Sequence, residues 1–400
     1  MEFGIFLQGH VPARRVEEDP TYEHYALMRE VEIAKAADKA GFKYVWASEH
    51  HFLHEYSHLS DSGAFLAFVA GQTERIHMAT GIRNLSPMVN HPIRVAEEVA
   101  MMDHLTGGRF ELGTGRGAGW HEVQGFDIPD TKVTKGWWDE VIRQLPRMWR
   151  ETEYEFEGEF VRVPGKRMIL PKPFKKSHPP LWVSAGNPQT WEIAGQMGLG
   201  CIGFSIGSID SMGPKVEAYK KAIVDADPIG EWVHDNVMAT NLAIVTEDGE
   251  QARQVATQAG TIALQAGVHR YHSTMPKVPG IPEWPEIFPD PSLEAIDVGI
   301  KGGYMVCGDP DEAVEQLKRF EATGIDQITF SLPVDIPQDV CLETLRLLGE
   351  HVIPKFDTDG EFRSTRQRAA ADVPEWADQA VARTVGPGPE PTSEGTRPLR

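Results

Sequence analysis

The sequence predicts an α/β protein, namely a (β/α)8 TIM barrel with insertions and a disordered C-terminal tail. Short apolar runs alternate with longer segments of helical periodicity through most of the chain, which is typical of buried parallel strands joined by helices. We count about eight such units, the number that closes a barrel. The chain of 400 residues is 41% apolar and can bury a full core, although length alone fits one large barrel as well as two ordinary domains.

The barrel strands are predicted where short apolar runs stand between turn residues. In chain order these runs are 3–7, 44–47, 76–82, 110–113, 181–185, 201–206, 237–245 and 325–332. Helices are predicted at 25–40, 65–70, 93–105, 135–149, 191–197, 216–226, 251–268, 311–321 and 340–353, and a hairpin at 154–163. Local signals mark several helix ends: Gly41 follows the first helix, Ser-Asp-Ser at 60–62 can cap the second, and Gly107 ends the third.

The C-terminal half departs from this alternation at two places. Residues 272–303 are rich in proline, and so long a loop inside a compact domain is either an active-site lid or a passive insertion. After about residue 357 the apolar content falls, and 386–400 has the composition of a disordered tail, while 373–381 could form a peripheral helix. We therefore expect a barrel domain at 1–356 and a largely disordered C-terminal extension at 357–400.

Acidic residues dominate the charge of the chain, since 59 Asp and Glu against 39 Lys and Arg give a formal net charge of -20. Such a surface repels phosphate backbones and anionic lipids, so nucleic-acid and membrane partners are not expected. The cysteines Cys201, Cys307 and Cys341 are too far apart to suggest a disulfide framework or a thiolate metal site. Without an apolar stretch long enough for a leader or a membrane span, the chain is expected to be soluble and cytoplasmic.

The segment 48–58, SEHHFLHEYSH, contains patterns for two different kinds of site. His54, Glu55 and His58 fit H-E-x-x-H, which binds zinc when one helical turn brings both histidines to the same face. Here the pattern follows a strand and precedes a helix cap, so it is predicted to lie in a loop. A solvated polar loop is therefore favoured over a zinc site, and no metal is expected.

The other half of this segment, Glu49, His50 and His51, lies just past the strand 44–47, where catalytic groups collect in a barrel. A histidine there can take or give a proton near neutral pH, and an adjacent carboxylate can fix its tautomer. These three residues are the catalytic candidates. The alternative is a polar cluster that merely caps the next helix.

Three further strand ends have residues suited to a cofactor. Gly81, which precedes Ile82, has no side chain and would let a flat ring approach the backbone. The glycine-rich run 113–117 exposes amides beside the guanidinium of Arg116, which suits a phosphate. Past the strand 181–185, amides and a helix dipole could hold a second side of the phosphate. The candidates there are Ser184, Ala185, Gly186, Asn187 and Thr190.

Flexible turns and an ordinary helix cap are the alternatives at these strand ends. Neither a P-loop nor a complete G-x-G-x-x-G dinucleotide pattern stands there. The phosphate would therefore belong to a mononucleotide, with flavin as the natural candidate.

In the order of these motifs, the sequence resembles the bacterial luciferase-like flavin-dependent monooxygenases over roughly residues 1 to 355. The matching stretches are MEFGIFLQGH, GFKYVWASEHHF, MATGIRNLSPMVNHPIRVAEEVAMMDHLTGGRFELGTGRG, PLWVSAGNPQTWEIAGQMGLG and CGDPDEAVEQLKRFEATGIDQITF. The resemblance implies a (β/α)8 barrel that binds reduced FMN, supplied by a separate reductase, and reacts it with O2. It also favours a mobile lid, rather than a passive insertion, at 272–303.

On this resemblance, Glu49, His50 and His51 lie beside the isoalloxazine, and His50 is the best candidate for moving protons. Gly81 and Ile82 would form a non-prolyl cis peptide under the ring. Arg116, with residues 184–187 and Thr190, would hold the phosphate. Where luciferase alpha chains have a reactive cysteine before the matching arginine, this chain has Gly115, which disfavours light emission.

The expected function is oxygenation of a small organic substrate through a flavin C4a-hydroperoxide. Alternatives are a deazaflavin-dependent oxidoreductase of the same barrel family, a non-catalytic flavin-binding protein and, more remotely, a zinc peptidase. A homodimer is also expected.

Overall fold

A computed structural model describes residues 1–52, 57–117, 119–175, 177–204, 209–259 and 290–371. The strands, in chain order, are β1 Glu2–Leu7, β2 Tyr44–Ala47, β3 His77–Thr80, β4 Arg83–Asn84, β5 Phe110–Gly115, β6 Tyr154–Glu157, β7 Arg162–Arg167, β8 Leu181–Ala185, β9 Gly200–Phe204, β10 Val237–Val245, β11 Val306–Gly308 and β12 Gln327–Ser331.

Eight of these strands close a parallel barrel. Neighbouring strands pair in the order β1–β2–β3–β5–β8–β9–β10–β12, and β12 pairs with β1 to complete the ring. The predicted (β/α)8 TIM barrel is therefore confirmed. The short strands β4 and β11 extend this sheet beside β5 and β10, and β6 and β7 form a separate antiparallel hairpin.

Helices surround the barrel and connect its strands. They are α1 Ala13–Glu18, α2 Tyr22–Lys39, α3 Ser62–Ala70, α4 Pro92–Leu105, α5 Trp120–Gly125, α6 Val133–Arg150, α7 Pro188–Gln196, α8 Met212–Ile223, α9 Gly249–Ala256, α10 Leu293–Gly302, α11 Pro310–Glu321, α12 Gln338–Leu347, α13 Ile353–Phe356 and α14 Arg363–Ala369. In the part of the chain that the structure describes, no helix has the length and apolarity to cross a bilayer.

The main apolar core lies between the outer faces of the strands and the helices, while a smaller cluster fills the barrel. Inside the barrel, the indole rings of Trp46 and Trp182 meet edge to face at 5.0 Å. Both indole N–H groups have partners, because Trp46 Nε1 donates to Gln327 Oε1 and Trp182 Nε1 donates to Glu111 Oε2, each at 2.8 Å. The barrel interior is therefore packed, and both buried indole N–H groups are hydrogen-bonded.

Several predicted boundaries differ from those observed. The strand predicted at 76–82 spans only His77–Thr80, and the Gly81–Ile82 peptide bond beyond it is cis. The helix predicted at 340–353 is interrupted by a π-helical turn, Leu348–Val352. Pro354 follows this turn and has no N–H to donate to the preceding turn, which accounts for the interruption.

Part of the predicted insertion 272–303 is helical. Ser292 caps α10 by accepting a hydrogen bond from the Ala295 N–H at 3.2 Å, and Gly303, with φ of 75°, ends the helix. A Ser cap and a terminal glycine are standard helix signals, but the many prolines in 272–303 favoured a loop over the whole segment. Residues 272–289, like the predicted helix segment 260–268, lie outside the described residues.

The described part of the expected C-terminal extension, 357–371, packs under the N-terminal mouth of the barrel. The Phe362 ring stacks on His77 with centroids 4.2 Å apart, and Ser364 Oγ donates to Glu111 inside the barrel. Lys43, at the start of β2, donates to the main-chain carbonyls of Asp359 and Glu361. We call residues 357–371 the base segment.

A buried ion pair holds the other end of the base segment. Arg368 Nη1 and Nη2 donate to Asp103 Oδ1 and Oδ2, each at 2.8 Å, and Arg368 also donates to the Ser177 carbonyl at 2.6 Å. Asp103 is fully buried on α4. Residues 372–400, including the predicted helix at 373–381 and the predicted disordered tail, lie outside the described residues.

Candidate active site

The predicted site residues lie on one rim of the barrel, at the carboxyl ends of four strands that are neighbours in the ring. In spatial order, β2 leads into Glu49, His50 and His51, β3 into Gly81, β5 into Arg116 and β8 into the segment 184–190. Adjacent strands are about 4.8 Å apart, so the four strand ends form an arc of about 14 Å.

Glu49 is a buried anchor at the β2 end of this arc. Its Oε2 accepts a hydrogen bond from Arg83 Nη1 at 2.8 Å, and its Oε1 accepts one from Asn90 Nδ2 at 2.7 Å. His51 Nε2 lies 3.4 Å from the same Oε1. Because Arg83 also pairs with Glu98, the Glu49 carboxylate belongs to a buried charge network.

The carboxylate partner of His50 is Glu122, on α5. His50 Nδ1 lies 3.1 Å from Glu122 Oε1, and the His51 backbone N–H donates to the same oxygen at 3.3 Å. Sequence analysis expected an adjacent carboxylate to orient the histidine, and Glu49 was the nearby candidate. The structure instead pairs His50 with a carboxylate 72 positions further along the chain.

His51 contributes to an aromatic cluster at the outer side of this site. Its ring meets the Phe126 ring edge to face at 4.8 Å, and Phe52 lies 5.1 Å from Phe126. Phe52 has a left-handed φ of 60° and is 58% exposed. The position after His51 therefore presents an apolar ring at the rim.

His10 lies beyond the end of β1, on the other side of His50. Burial, together with the nearby His50 and Arg29, lowers the pKa of His10 to about 3. His10 is therefore neutral near pH 7 and does not place a second fixed positive charge beside His50.

The alternative role of this cluster as a helix cap is excluded, because Asp61 caps α3 by accepting a hydrogen bond from the Ala64 N–H at 3.0 Å. For the zinc pattern, His54 and Glu55 lie outside the described residues, whereas His58 Nδ1 is 2.6 Å from Glu23 Oε1. No group of three or more His, Cys, Asp or Glu side chains among the described residues is placed to hold a metal ion.

At the next two strand ends, Ile82 and Gly115 fit against each other. A Cβ added at Gly115 would lie 2.8 Å from both Cδ1 and Cγ1 of Ile82, which is too close for ordinary contact. The Ile82 side chain therefore lies against the position that a side chain at 115 would need. This packing gives a steric reason for the glycine at position 115.

Arg116, directly after β5, is anchored by its guanidinium. Its Nη1 donates to the Thr131 carbonyl at 3.0 Å and to Thr134 Oγ1 at 3.2 Å, at the start of α6. Burial lowers the pKa of Arg116, but from so high an ordinary value that the side chain stays cationic at neutral pH. The rim thus has a fixed positive charge at this point.

The segment after β8 lies beside Arg116, because Thr114 of β5 pairs with Val183 of β8 and both chains continue to the same rim. Asn187 caps α7 by accepting hydrogen bonds from Thr190 N at 3.0 Å and from Thr190 Oγ1 at 3.1 Å. Ser184 is half-buried and Ala185 is buried. Gly186 is exposed, and a Cβ added there would meet no atom within 4 Å, so this corner is open to a ligand.

Three residues that complete the site are not predicted from the sequence: Arg83, Asn90 and Glu122. Arg83 and Asn90 are 34 and 41 positions from their partner Glu49, so no local pattern indicates the contacts. A weak signal existed for Glu122, which stands in the first turn of the short helix that follows the glycine-rich run.

Comparison with known proteins identifies relatives of this chain. The family described as "Luciferase-like monooxygenase" matches residues 1–327. The oxygenase component of the flavin-dependent trigonelline monooxygenase of Acinetobacter baylyi is 25% identical over 365 residues, which cover 89% of this chain and 96% of that protein. An uncharacterized protein of Sinorhizobium fredii is 31% identical over 173 residues, or 43% of this chain, and the match spans only 49% of that relative.

A relative named for a different cofactor also matches. The F420-dependent glucose-6-phosphate dehydrogenase of Amycolatopsis mediterranei is 26% identical over 336 residues, covering 82% of this chain and 93% of that protein. Among solved structures, the oxygenating constituent of 3,6-diketocamphane monooxygenase of Pseudomonas putida, in complex with FMN, has a TM-score of 0.67 at 18% identity and covers 89% of this chain and 98% of its own. That structure supports the fold.

The family match covers most of the chain, and the observed barrel agrees with it. The chain therefore belongs to the luciferase-like monooxygenase family.

Proposed function

We propose that this chain is the oxygenase component of a two-component monooxygenase, which uses reduced FMN from a separate reductase, together with O2, to oxygenate a small organic substrate. The observation that supports it best is the arc of four neighbouring strand ends, with His50 and its Glu122 partner at one end and Arg116 with the N-terminus of α7 at the other. An elongated mononucleotide matches this arrangement, because its ring lies at one end and its phosphate at the other.

The residues of the arc fit the phosphate of FMN at the end formed by β5 and β8. Arg116 supplies a fixed cation, and the N-terminus of α7 supplies main-chain N–H groups and a favourable dipole. Gly186 leaves space for the phosphate oxygens beside the backbone. Ser184, Ala185, Asn187 and Thr190 would complete this cradle.

At the other end, the isoalloxazine would lie over Gly81 and Ile82, beside Glu49, His50 and His51. Reduced FMN, when bound, supplies the electrons that activate O2. His50 would then move a proton at Nε2, and the Glu49 carboxylate, held by Arg83 and Asn90, would orient the His51 ring. We propose that residues 272–303 cover the site and exclude water.

Flavin titration of the purified chain, followed by oxygen uptake with a flavin reductase and NADH, tests this function. Arg116→Ala should weaken FMN binding about 10- to 100-fold, the loss expected for a charge-assisted phosphate contact. Arg94→Ala is the matched control, because Arg94 is exposed and pairs with Glu97 on the helix surface. No affinity of the parent chain for either redox state of FMN would contradict the proposal.

A deazaflavin-dependent oxidoreductase is the second candidate, supported by the relative that is named F420-dependent. The two candidates differ in their need for oxygen. Substrate turnover under strict anaerobiosis with F420 would favour this candidate, whereas turnover that requires O2 and FMN would favour the monooxygenase.

A homodimer in the cytoplasm is also part of the proposal. The side chains of Phe68 on α3 and of Met101 and Leu105 on α4 are exposed, and these two helices pack together. Such an apolar face is suited to a partner copy. Sedimentation velocity should give about twice the chain mass of 44.5 kDa, and a single monomeric species would contradict the dimer.

A further inference from the structure

We propose that Glu122 is the positioning residue for His50: it accepts a hydrogen bond from Nδ1 and so makes Nε2 the proton-accepting atom of the ring. This inference rests on the proposed function, because it assigns a role to a neighbour of the group that moves protons there. The local sequence gives only a weak signal for Glu122, its place in the first turn of α5.

The geometry fixes both the ring and the main chain around it. Glu122 Oε1 is 3.1 Å from His50 Nδ1 and 3.3 Å from the His51 backbone nitrogen. On the other side, the His50 backbone N–H donates to the Leu59 carbonyl at 3.1 Å. A single carboxylate oxygen thus restrains the imidazole and the peptide that follows it, and only 4% of Glu122 is exposed to solvent.

Two other titratable groups near His50, Glu49 and His10, are not placed to orient its ring. Glu49 faces away, because Arg83 and Asn90 donate to its two oxygens and His51 lies next to it. His10, on the β1 side, is uncharged near pH 7 because burial lowers its pKa to about 3. Among the described residues, Glu122 on α5 is thus a carboxylate in hydrogen-bonding contact with the His50 ring.

The chemistry follows from the donors and acceptors present. An ionised carboxylate only accepts, so Nδ1 must hold the proton of the bond, and a neutral His50 ring then has its lone pair on Nε2. Without the carboxylate, the ring can rotate and exchange tautomers. A general base in the wrong tautomer transfers protons poorly, even when its position is unchanged.

Two variants and one spectrum test this role. Glu122→Gln keeps the size of the side chain, but its amide can bond either tautomer. Glu122→Asp keeps the carboxylate on a shorter stem. In reductase-coupled oxygen uptake, we expect Glu122→Gln to lower kcat about 100-fold while FMN affinity stays close to that of the parent. Glu122→Asp should retain a larger part of the turnover, and Glu32→Gln, which removes an exposed carboxylate on α2, should retain all of it.

The ring ¹⁵N spectrum of histidine-labelled protein, assigned with His50→Gln, gives a readout that does not depend on turnover. The parent should show Nδ1 protonated and Nε2 unprotonated at His50, and Glu122→Gln should show both tautomers. A parent spectrum with Nε2 protonated in the neutral ring, or full kcat in Glu122→Gln, would overturn the inference. Failure of the parent to bind flavin would instead contradict the proposed function and leave the tautomer result standing.

Discussion

Arg368→Met is expected to lower the free energy of unfolding by about 3–5 kcal/mol, the largest stability change foreseen for a single side chain in this molecule. The substitution keeps an unbranched side chain but leaves the Asp103 carboxylate buried without its cation. Leaving a buried charge without its partner costs much more free energy than the intact ion pair contributes to stability. Urea denaturation, followed by tryptophan fluorescence, measures the difference.

The base segment also offers a matched control. Arg366 lies on the same helix and also pairs with a carboxylate, Asp359, but both side chains are about half exposed. Arg366→Met should therefore leave stability almost unchanged, since exposed ion pairs contribute little. Equal stability of the two variants would show that the Asp103 pair does not anchor the base segment. A chain that ends at Phe356 should be less stable than the parent, because it lacks the base segment.

His50→Ala is expected to lower turnover about 10²- to 10⁴-fold, the usual contribution of a positioned acid or base. FMN affinity should change little, because the predicted phosphate contacts lie two and three strands away, at β5 and β8. Reductase-coupled oxygen uptake and flavin titration measure the two effects separately. A parallel loss of binding and turnover would mean that His50 holds the cofactor and does not transfer protons.

His58→Ala is the control in the same segment. His58 contacts Glu23 at the surface, so the flavin hypothesis expects full turnover in this variant. The zinc pattern requires His58 as a ligand and expects inactivity. One substitution therefore distinguishes the two sites that SEHHFLHEYSH suggests.

The barrel could be predicted from the sequence because its strands are short buried runs and its helices have local start and stop signals. Three strands, β2, β8 and β10, have the predicted boundaries. The three-residue strand β11 is too short to show a pattern. The helix of the base segment, RSTRQRA, has no apolar face, and its stability comes from distant charged partners such as Asp103.

For the candidate site, strand order predicted where residues would gather but not how their side chains would pair. The strand ends of β2, β3, β5 and β8 follow from the βα alternation, and the structure brings them to one rim. The pairing of His50 with Glu122 depends on the path of the loop after β5 and on the position of α5. Such contacts are fixed by tertiary packing, which periodicity does not report.

The fit between Ile82 and Gly115 has a consequence for how this protein can change. A side chain at 115 would press on Ile82, which must then either shift or be exchanged for a smaller residue. Substitutions at the two positions are therefore expected to interact, and a thiol at 115 is accommodated most easily when residue 82 becomes smaller at the same time. A single-site library would score cysteine at 115 as harmful, although the paired exchange is the variant that packing permits.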